Sequence, residues 1–406
     1  MDSGLFIMDG LTIFCAAAGA IQLSSTAIAM TRAARTKPFA GLSLQGQPPV
    51  TILRPICGLE NNLERTLESA FLLDWPSDYE VLFCVASETD PAVSVARRVM
   101  DRHPHVRACI LTGNDRISVN PKLNNLVKGW KTARYPWIVM ADSNVLMPQD
   151  YLVRLFTRWL PGTGMVCSPP VGSEPDGLEA EVECAWLNSY QARWQLSADE
   201  IGHGFAQGKT MMLHRSLLDS HGGIERLAGE VAEDAASTKI VRAAGLQVRL
   251  VQRPFPQPIG RRDWQGIWRR QLRWARLRRD SFVLFFVPEV LAGGFFPILA
   301  VAIATAAGIW SPWLAVGYAL LWYGSEIALI RSYDWPLTCR TPLALVARDL
   351  ALPVLWVAAW FGNGFEWRGN TMTVAHPDGA SPARVRIRHA VDKTRKKARA
   401  LLAFRH

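Results

Sequence analysis

Between residues 50 and 140, short apolar runs alternate with segments whose apolar residues recur at helical spacing. The apolar runs are Val50–Leu53, Tyr79–Val85, Val106–Leu111 and Trp137–Met140, and the helical segments are Leu63–Leu72, Ala92–Asp101 and Leu123–Thr132. Strands that alternate with helices in this way build a parallel sheet with helices on its faces. The pattern therefore predicts an α/β domain with a Rossmann-like, mostly parallel sheet.

A different pattern stands near the N-terminus, where no charged residue occurs from Leu11 to Met30. About twenty apolar residues can cross a bilayer as a helix, and Arg32, Arg35 and Lys37 follow directly. A cleaved signal peptide, the alternative, carries its positive charges before the apolar run rather than after it. We therefore predict an uncleaved anchor, with its N-terminus outside the cytoplasm and the following domain inside.

Two apolar segments further along predict a helical hairpin in the membrane. Residues 282–308 carry a single charge, Glu289, and residues 312–330 carry a single charge, Glu326. Ser311 and Pro312 mark the turn between them.

A third apolar segment, residues 342–361, contains Arg348, Asp349 and Pro353, so it can span, re-enter or lie in the interface. The tail behind it has nine Lys or Arg and one Asp between residues 384 and 405. Because cytoplasmic segments carry the excess of Lys and Arg, this tail favours an interfacial or re-entrant third segment.

The formal net charge of +10 comes largely from this tail and from residues 261–279. These basic residues flank membrane segments, so attraction to an anionic lipid surface explains them better than nucleic acid binding does. Charges that only set the topology are the alternative for the tail. The seven cysteines and eight histidines show no metal-type spacing, and neither zinc nor a disulfide framework is predicted.

Polar side chains follow two of the predicted strands. Asp142 and Asn144 come after the fourth apolar run, and Glu88 and Asp90 come after the second. Ligands of such sheets bind outside the carboxyl ends of the strands. Asp142 and Asn144 can point oxygens at one hard cation that a diphosphate completes, although a cap or a turn is the structural alternative for a carboxylate here.

Two adjacent carboxylates, Glu233 and Asp234, precede a helical pattern at residues 235–244. Carboxylates at a helix start are stabilised by the helix dipole without any catalysis. The functional interpretation is that one of them takes the proton of an acceptor hydroxyl, a contribution of typically about 10² to 10⁴ in rate.

Arg270, Arg273 and Trp274 lie in a basic amphipathic segment, residues 261–280. Helices that lie on a membrane surface are commonly rich in Arg and Trp. The other interpretation is that these side chains close over a diphosphate, and both roles can hold together.

These three groups, in this order and spacing, resemble those of the ceramide glucosyltransferases, relatives of the processive inverting transferases of the GT-A fold. Further agreeing pieces are Arg54-Pro55-x-x-Gly58, Tyr79-Glu80-Val81-Leu82, Asp90-Pro91-Ala92, Asn120-Pro121-Lys122-Leu123-Asn124-Asn125-Leu126 and Gln207-Gly208-Lys209-Thr210-Met211. The resemblance covers residues 50–279 and the layout of anchor and hairpin, and as a combined pattern it is highly specific.

The resemblance implies a role for each candidate residue. Asp142 and Asn144 would hold Mg²⁺ or Mn²⁺, Asp234 would be the general base, and Arg270, Arg273 and Trp274 would complete donor and acceptor binding. The residues assigned to the nucleotide-sugar donor are Pro55, Glu60, Glu88, Asp90, Lys122, Asp142 and Asn144. The family's first aspartate falls at Ser87 here, so Glu88 or Asp90 would have to replace its contact to the nucleotide.

The activity that the resemblance implies is inverting transfer of a hexose, typically glucose, from a UDP-sugar to ceramide. A two-chain lipid leaves the bilayer only at a cost of about 0.8 kcal/mol per methylene, so the site must stand at the membrane surface. The same chemistry on diacylglycerol or a hopanoid, and a membrane-anchored pseudoenzyme that only binds nucleotide-sugar, are the alternatives. A processive polysaccharide synthase would need more spans to form its channel.

The predicted organisation is that of a multi-pass protein of a bacterial inner membrane with a cytosolic catalytic domain. Its parts are an anchor (1–37), a GT-A-type catalytic domain (48–260), an interfacial amphipathic segment (261–280), a membrane hairpin with the third apolar segment (281–362) and a basic cytosolic tail (363–406). The donated hexose and the oligomeric state are left open.

Overall fold

A computed structural model describes residues 2–35, 46–367 and 370–373. Its helices are α1 (Asp2–Ala34), α2 (Leu63–Glu68), α3 (Pro91–Arg102), α4 (Pro121–Thr132), α5 (Tyr151–Phe156), α6 (Leu178–Ala185), α7 (Arg193–Glu200), α8 (Ser216–Asp219), α9 (Glu233–Ala243), α10 (Trp264–Ser281), α11 (Val283–Phe286), α12 (Phe295–Ala306), α13 (Pro312–Ser332) and α14 (Thr341–Trp360). Its strands are β1 (Val50–Pro55), β2 (Tyr79–Val85), β3 (Arg107–Thr112), β4 (Trp137–Ala141), β5 (Thr163–Ser168), β6 (Val171–Asp176), β7 (Thr210–His214), β8 (Gln247–Leu250), β9 (Pro256–Arg261), β10 (Gly364–Trp367) and β11 (Asn370–Thr373). A π-helical turn, Trp186–Ala192, joins α6 to α7.

A seven-stranded sheet in the order β3-β2-β1-β4-β7-β5-β8 forms the centre of the molecule. β1 runs parallel to β2 and β4, and β7 runs antiparallel to both of its neighbours. Every residue of β1 is buried, which explains why the strand is largely apolar rather than alternating. The predicted mostly parallel α/β sheet, with apolar helices in the N- and C-terminal parts of the chain, is confirmed.

Two helices on this sheet begin one or two residues earlier than their apolar pattern predicts. The side chain of Asp90 caps α3 and that of Asn120 caps α4, and a proline occupies the first position of each helix. This cap and proline combination satisfies the free N–H groups of a first turn. The early start of α4 places Lys122 at the carboxyl edge of the sheet.

The helical segment from α6 through the π turn to α7 has no counterpart among the sequence predictions. Many of its buried side chains are polar, among them Glu183, Asn188, Gln191 and Arg193. An apolar periodicity cannot report a helix whose buried face is polar, so the pattern gives no signal there.

Within the described residues, four helical segments are long and apolar enough to cross a membrane: Met8–Ala34, Val283–Ala306, Pro312–Ser332 and Thr341–Trp360. The second of them, the first arm of the predicted hairpin, is interrupted between α11 and α12. Pro288 lacks the N–H that a continuous helix needs. Gly293 and Gly294 lie so close to the carboxylate of Asp349 that a Cβ would stand 2.9 and 2.7 Å from its oxygens.

The charges of the third apolar segment are neutralised inside the protein. The Arg348 guanidinium lies 2.7 Å from Glu326 of α13 and 2.8 Å from Asp349, and all three side chains are almost fully buried. The interfacial or re-entrant placement of this segment stays a prediction. The basic tail on which it depends, residues 384–405, lies outside the described residues.

The anchor helix is joined to the α/β domain by an ion pair. Arg32, near the end of α1, lies 2.6 Å from Asp199 and 3.2 Å from Glu200 of α7. Arg32 and Asp199 are each 2% exposed, so this positive charge contacts protein carboxylates instead of the lipid headgroups. α1 is therefore docked against the domain that it precedes.

Candidate active site

A cavity of about 1270 Å³ lies between the carboxyl edge of the sheet and α10. Of the sequence-predicted residues, those that line it are Pro55, Glu60, Lys122, Asp142, Asn144, Asp234, Arg270, Arg273 and Trp274. The fold thus brings residues about 220 positions apart in the chain into one cavity.

One end of the cavity is charged, and we call Lys122, Asp142, Asn144 and Lys209 its charged end. Asp142 Oδ1 lies 2.7 Å from the Lys122 ammonium, and Asp142 Oδ2 lies 2.8 Å from that of Lys209. Burial alone raises the pKa of Asp142, but the two ammonium groups outweigh burial and hold that pKa well below its usual range. Asp142 is therefore ionised at any physiological pH.

Asp142 and Asn144 fit a cation that is shared with a ligand. Asp142 Oδ2 and Asn144 Oδ1 converge on the Lys209 ammonium, at 2.8 and 3.2 Å. Two oxygens aimed at one positive charge also suit a hard divalent cation, which fills its remaining positions with phosphate oxygens and water. Among the residues that the structure describes, no cluster of three or more His, Cys, Asp or Glu forms a metal site made by the protein alone.

A buried arginine supports the loop that carries Asp142. Arg54, at the end of β1, donates from Nη2 to the carbonyl oxygens of Asp142, Ser143 and Val145, each at 3.0 Å. Burial lowers the pKa of Arg54 to about 10. The Arg54-Pro55 pair is visible in the sequence, but only the fold shows that Arg54 positions the Asp142 loop.

Glu60 and Pro55 stand at the same edge of the sheet. Glu60 Oε2 accepts a hydrogen bond from the Ser143 hydroxyl at 2.9 Å. Pro55 ends β1 and forms part of the cavity wall. Both residues therefore line the cavity, and the donor role predicted for them stays a prediction.

The structure does not bring Glu88 or Asp90 into this cavity. Asp90 accepts hydrogen bonds from the backbone N–H groups of Ala92, at 2.9 Å, and Gly58, at 2.8 Å, so it takes the capping role that was its structural alternative. Glu88 is exposed on the loop after β2, as is Ser87, whose hydroxyl bonds to that of Thr89. The donor contact suggested for Glu88 or Asp90 therefore has no support in this arrangement.

The two carboxylates at the start of α9 have different surroundings. Glu233 is 5% exposed and binds the Lys122 ammonium and the Asn120 side chain, both at 2.7 Å. Asp234 is less buried, lines the cavity and accepts a hydrogen bond from the Gly208 N–H at 2.7 Å. Both carboxylates line the cavity, but Glu233 is bound to Lys122 and Asn120, whereas Asp234 is the more exposed of the two.

The acidity of Asp234 suits a general base. Burial, together with the negative charge of Glu233, raises the pKa of Asp234 to about 6, although Lys122 and two backbone N–H groups oppose the rise. A carboxylate with a pKa near 6 is still ionised at neutral pH and is more basic than an ordinary aspartate. Asp234 can therefore accept a proton from a hydroxyl held in the cavity.

The helix α10 brings Arg270, Arg273 and Trp274 to the opposite wall. The Arg270 guanidinium forms an ion pair with Glu183 of α6, which is fully buried and also lies 3.0 Å from Arg262. Glu183 therefore positions Arg270, and no sequence signal pointed to it. Other arginines of α10 also bond to protein acceptors, Arg276 to the Phe361 carbonyl and Arg278 to Glu289, while the interfacial role of residues 261–280 stays a prediction.

The other end of the cavity is apolar, and we call Phe282, Phe285, Phe286, Pro288 and Ala292 its apolar wall. All of them except Phe282, which directly precedes it, belong to the interrupted membrane segment. Phe285 is 74% exposed, and its neighbour Leu284 is 68% exposed. A contiguous exposed apolar surface of this kind marks a membrane or protein interaction site or a ligand-binding groove.

Residues 11–379 match the family model of glycosyl transferase family 21. The chain is 26% identical to ceramide glucosyltransferase 3 of Caenorhabditis elegans, over 81% of this chain and 73% of that protein. It is 28% identical to ceramide glucosyltransferase 1 of the same organism, over 80% and 71%. Among solved structures, a mannosyltransferase from Pyrobaculum calidifontis in complex with GDP-Man and Mn²⁺ is a distant likeness, with a TM-score of 0.49, 20% identity and coverage of 84% of this chain and 99% of that chain. Because the family match extends over most of the chain, the chain is a glycosyltransferase and belongs to glycosyl transferase family 21.

Proposed function

We propose that the protein transfers a hexose, glucose in the first instance, from a UDP-hexose to the primary hydroxyl of ceramide. The observation that carries this proposal is one cavity that joins the charged end, Asp234 and the apolar wall. A soluble, highly charged donor and a lipid acceptor can meet only at a site of this kind at the membrane surface. The names of the two nematode relatives support ceramide as the acceptor.

The charged end and α10 supply the groups that a nucleotide diphosphate needs. The ammonium groups of Lys122 and Lys209 and the guanidinium groups of Arg270 and Arg273 line the same cavity. Charge-assisted hydrogen bonds from such groups to phosphate oxygens are short and strong. A Mg²⁺ or Mn²⁺ ion held by Asp142 and Asn144 would act as a Lewis acid on the diphosphate when bound.

The transfer is a single displacement with inversion. The acceptor oxygen forms a bond to the anomeric carbon while the bond from that carbon to the UDP oxygen breaks. The electron pair of the broken bond stays on UDP, and the acceptor proton goes to Asp234. Arg270 and Arg273 stabilise the negative charge that develops on the leaving diphosphate.

A bacterial inner membrane, with the α/β domain in the cytosol, is the proposed location. The four apolar segments and the ion pair of Arg32 with Asp199 support a domain held close to the bilayer. Contact of the basic segments with anionic lipid is part of the same proposal.

A transfer assay tests the proposed function. Purified full-length protein in detergent is given UDP-[¹⁴C]glucose with ceramide or diacylglycerol in parallel, each with Mg²⁺, with Mn²⁺ or with a chelator. We expect label on ceramide that depends on the divalent cation. Label on diacylglycerol alone would show that diacylglycerol, rather than ceramide, is the acceptor. No transfer from any UDP-sugar would overturn the proposal.

The activity is expected to fall as the pH drops below about 6, the pKa of Asp234. The ionised carboxylate is the form that accepts the proton, so activity is present above this pKa and is lost by about tenfold per pH unit below it. The pH dependence of kcat/KM between pH 4.5 and 8 measures this effect. A flat profile across pH 6 would contradict the assignment of Asp234 as base.

Replacing Glu183 by Gln is expected to raise the KM for the UDP-sugar, with a smaller effect on kcat. The substitution keeps the size of the side chain but removes the charge that holds Arg270. The loss of one buried charged partner typically costs about 1.5 to 3 kcal/mol, or roughly ten- to hundredfold in binding. Glu179→Gln, one turn earlier on α6, is the matched control and should leave the KM unchanged.

A further inference from the structure

The π turn and the first turn of α7 carry two polar groups that the proposed mechanism does not use. Gln191 is 6% exposed, and its Nε2 donates to Gln271 Oε1 at 3.0 Å. Gln191 Oε1 and Trp194 Nε1 have no hydrogen-bond partner among the described residues, and both side chains line the cavity. A buried polar atom without a partner is expensive to retain, and π turns recur at functional sites.

Hydrogen bonds of Gln191 and of its neighbour Tyr190 connect this turn to α10 and to the segment of the apolar wall. Gln271, the partner of Gln191, follows Arg270 on the basic helix. Tyr190 donates from its hydroxyl to the Glu289 carbonyl, at 3.3 Å, in the segment that forms the apolar wall. A lipid with its chains against that wall and its hydroxyl at Asp234 would therefore have its polar headgroup beside Gln191 and Trp194.

On the basis of the proposed function, we propose that Gln191 and Trp194 recognise the amide of the acceptor lipid and thereby select ceramide over diacylglycerol. Gln191 Oε1 accepts a hydrogen bond from the amide N–H, and Trp194 Nε1 donates to the amide carbonyl. Both side chains line the same cavity, and their unpartnered atoms are one hydrogen-bond acceptor and one donor. A secondary amide offers the complementary pair of groups.

The two residues have different consequences for specificity. An ester of diacylglycerol has a carbonyl for Trp194 but no N–H for Gln191. A site built to bind a hydrogen-bond donor disfavours a substrate that lacks it, because the polar group of the site then stays unpaired. Gln191 therefore discriminates between ceramide and diacylglycerol, whereas Trp194 can donate a hydrogen bond to the carbonyl of either acceptor.

The test compares kcat/KM for ceramide and for diacylglycerol in the full-length enzyme with saturating UDP-glucose. Gln191→Leu is expected to lower kcat/KM for ceramide by about tenfold and to leave kcat/KM for diacylglycerol unchanged. Tenfold corresponds to about 1.4 kcal/mol, the size of one lost hydrogen bond. Gln191→Glu keeps the acceptor oxygens, and Gln271 Nε2, which has no partner among the described residues, can turn to donate to them. This variant should therefore retain the preference for ceramide.

Trp194→Phe should lower kcat/KM for ceramide and for diacylglycerol by the same factor. Gln195→Leu is the matched control, since Gln195 is buried on the same helix, bonds to the Phe205 carbonyl and does not line the cavity. Its acceptor ratio should match that of the unaltered enzyme, and a thermal unfolding midpoint for each variant shows that it is folded.

The outcomes separate this inference from the function on which it rests. If the unaltered enzyme transfers glucose to neither lipid, the proposed function fails and this inference fails with it. If it uses ceramide and Gln191→Leu leaves the ceramide to diacylglycerol ratio unchanged, only the role of Gln191 is overturned. An equal fall for both acceptors in a folded Gln191→Leu enzyme would also overturn it.

Discussion

An Asp234→Asn enzyme is expected to transfer sugar about 10² to 10⁴-fold more slowly, because an amide cannot take the acceptor proton. The carboxamide keeps the shape of the side chain and can still accept a hydrogen bond from the Gly208 N–H, which Asp234 binds at 2.7 Å. Donor binding should therefore survive, since the charged end of the cavity is unaltered. The measurement is a single-turnover rate alongside a Kd for UDP with Mg²⁺.

Glu233 offers the matched comparison for Asp234. It is adjacent, but its carboxylate is bound to Lys122 and Asn120, both at 2.7 Å. Glu233→Gln should therefore affect stability more than the proton-transfer step. Normal turnover in Asp234→Asn, with collapse in a folded Glu233→Gln protein, would move the base to Glu233.

Replacing Lys122 by Met is expected to lower the free energy of unfolding by about 3 to 5 kcal/mol, because it leaves the buried Glu233 carboxylate without its counter-charge. Lys122 is 8% exposed and lies 2.7 Å from both Asp142 and Glu233. The positive charge of Lys122 also lowers the pKa of Asp234. The pH below which activity is lost should accordingly move upward in this variant.

A double substitution distinguishes charge imbalance from lost packing. In Lys122→Met with Glu233→Gln, the ammonium and one of its two carboxylates are removed together. Most of the lost stability should return, as measured by denaturant unfolding in mixed micelles. A single Lys122→Met protein as stable as the unaltered one would contradict the buried ion pairs at the centre of the site.

The parallel half of the sheet was predictable from the sequence because its strands and helices have strong, simple periodicity. The strand Tyr79–Val85 has the predicted bounds. Capping by Asp90 and Asn120 starts α3 and α4 one or two residues earlier than predicted, and α3 also ends one residue later. Apolar runs report strands whose two faces are both covered. The membrane segments are recognisable for a similar reason, since their length and lack of charge are local properties.

Apolar periodicity could not predict several residues of the site. Arg54 and Glu183 are buried charged residues that act through distant partners, the Asp142 loop and Arg270. Their contacts join segments about 90 residues apart, and no periodicity records such a pairing. Asp90 is the opposite case. A contact to the nucleotide was predicted for the loop after β2, where this acidic residue lies, but in the structure Asp90 caps α3 and accepts a hydrogen bond from the Gly58 N–H.

The sequence by itself determined the α/β class, the apolar segments and the types of residue available for the chemistry, because each depends on local composition and spacing. Only the tertiary structure decided which of those residues share a cavity and which carboxylate is paired with an ammonium group. Glu233 and Asp234 are adjacent in the chain, yet Lys122 neutralises the first while burial raises the pKa of the second to about 6. That difference arises from groups on other elements, α4 and the loop before β7, which meet only when the chain is folded.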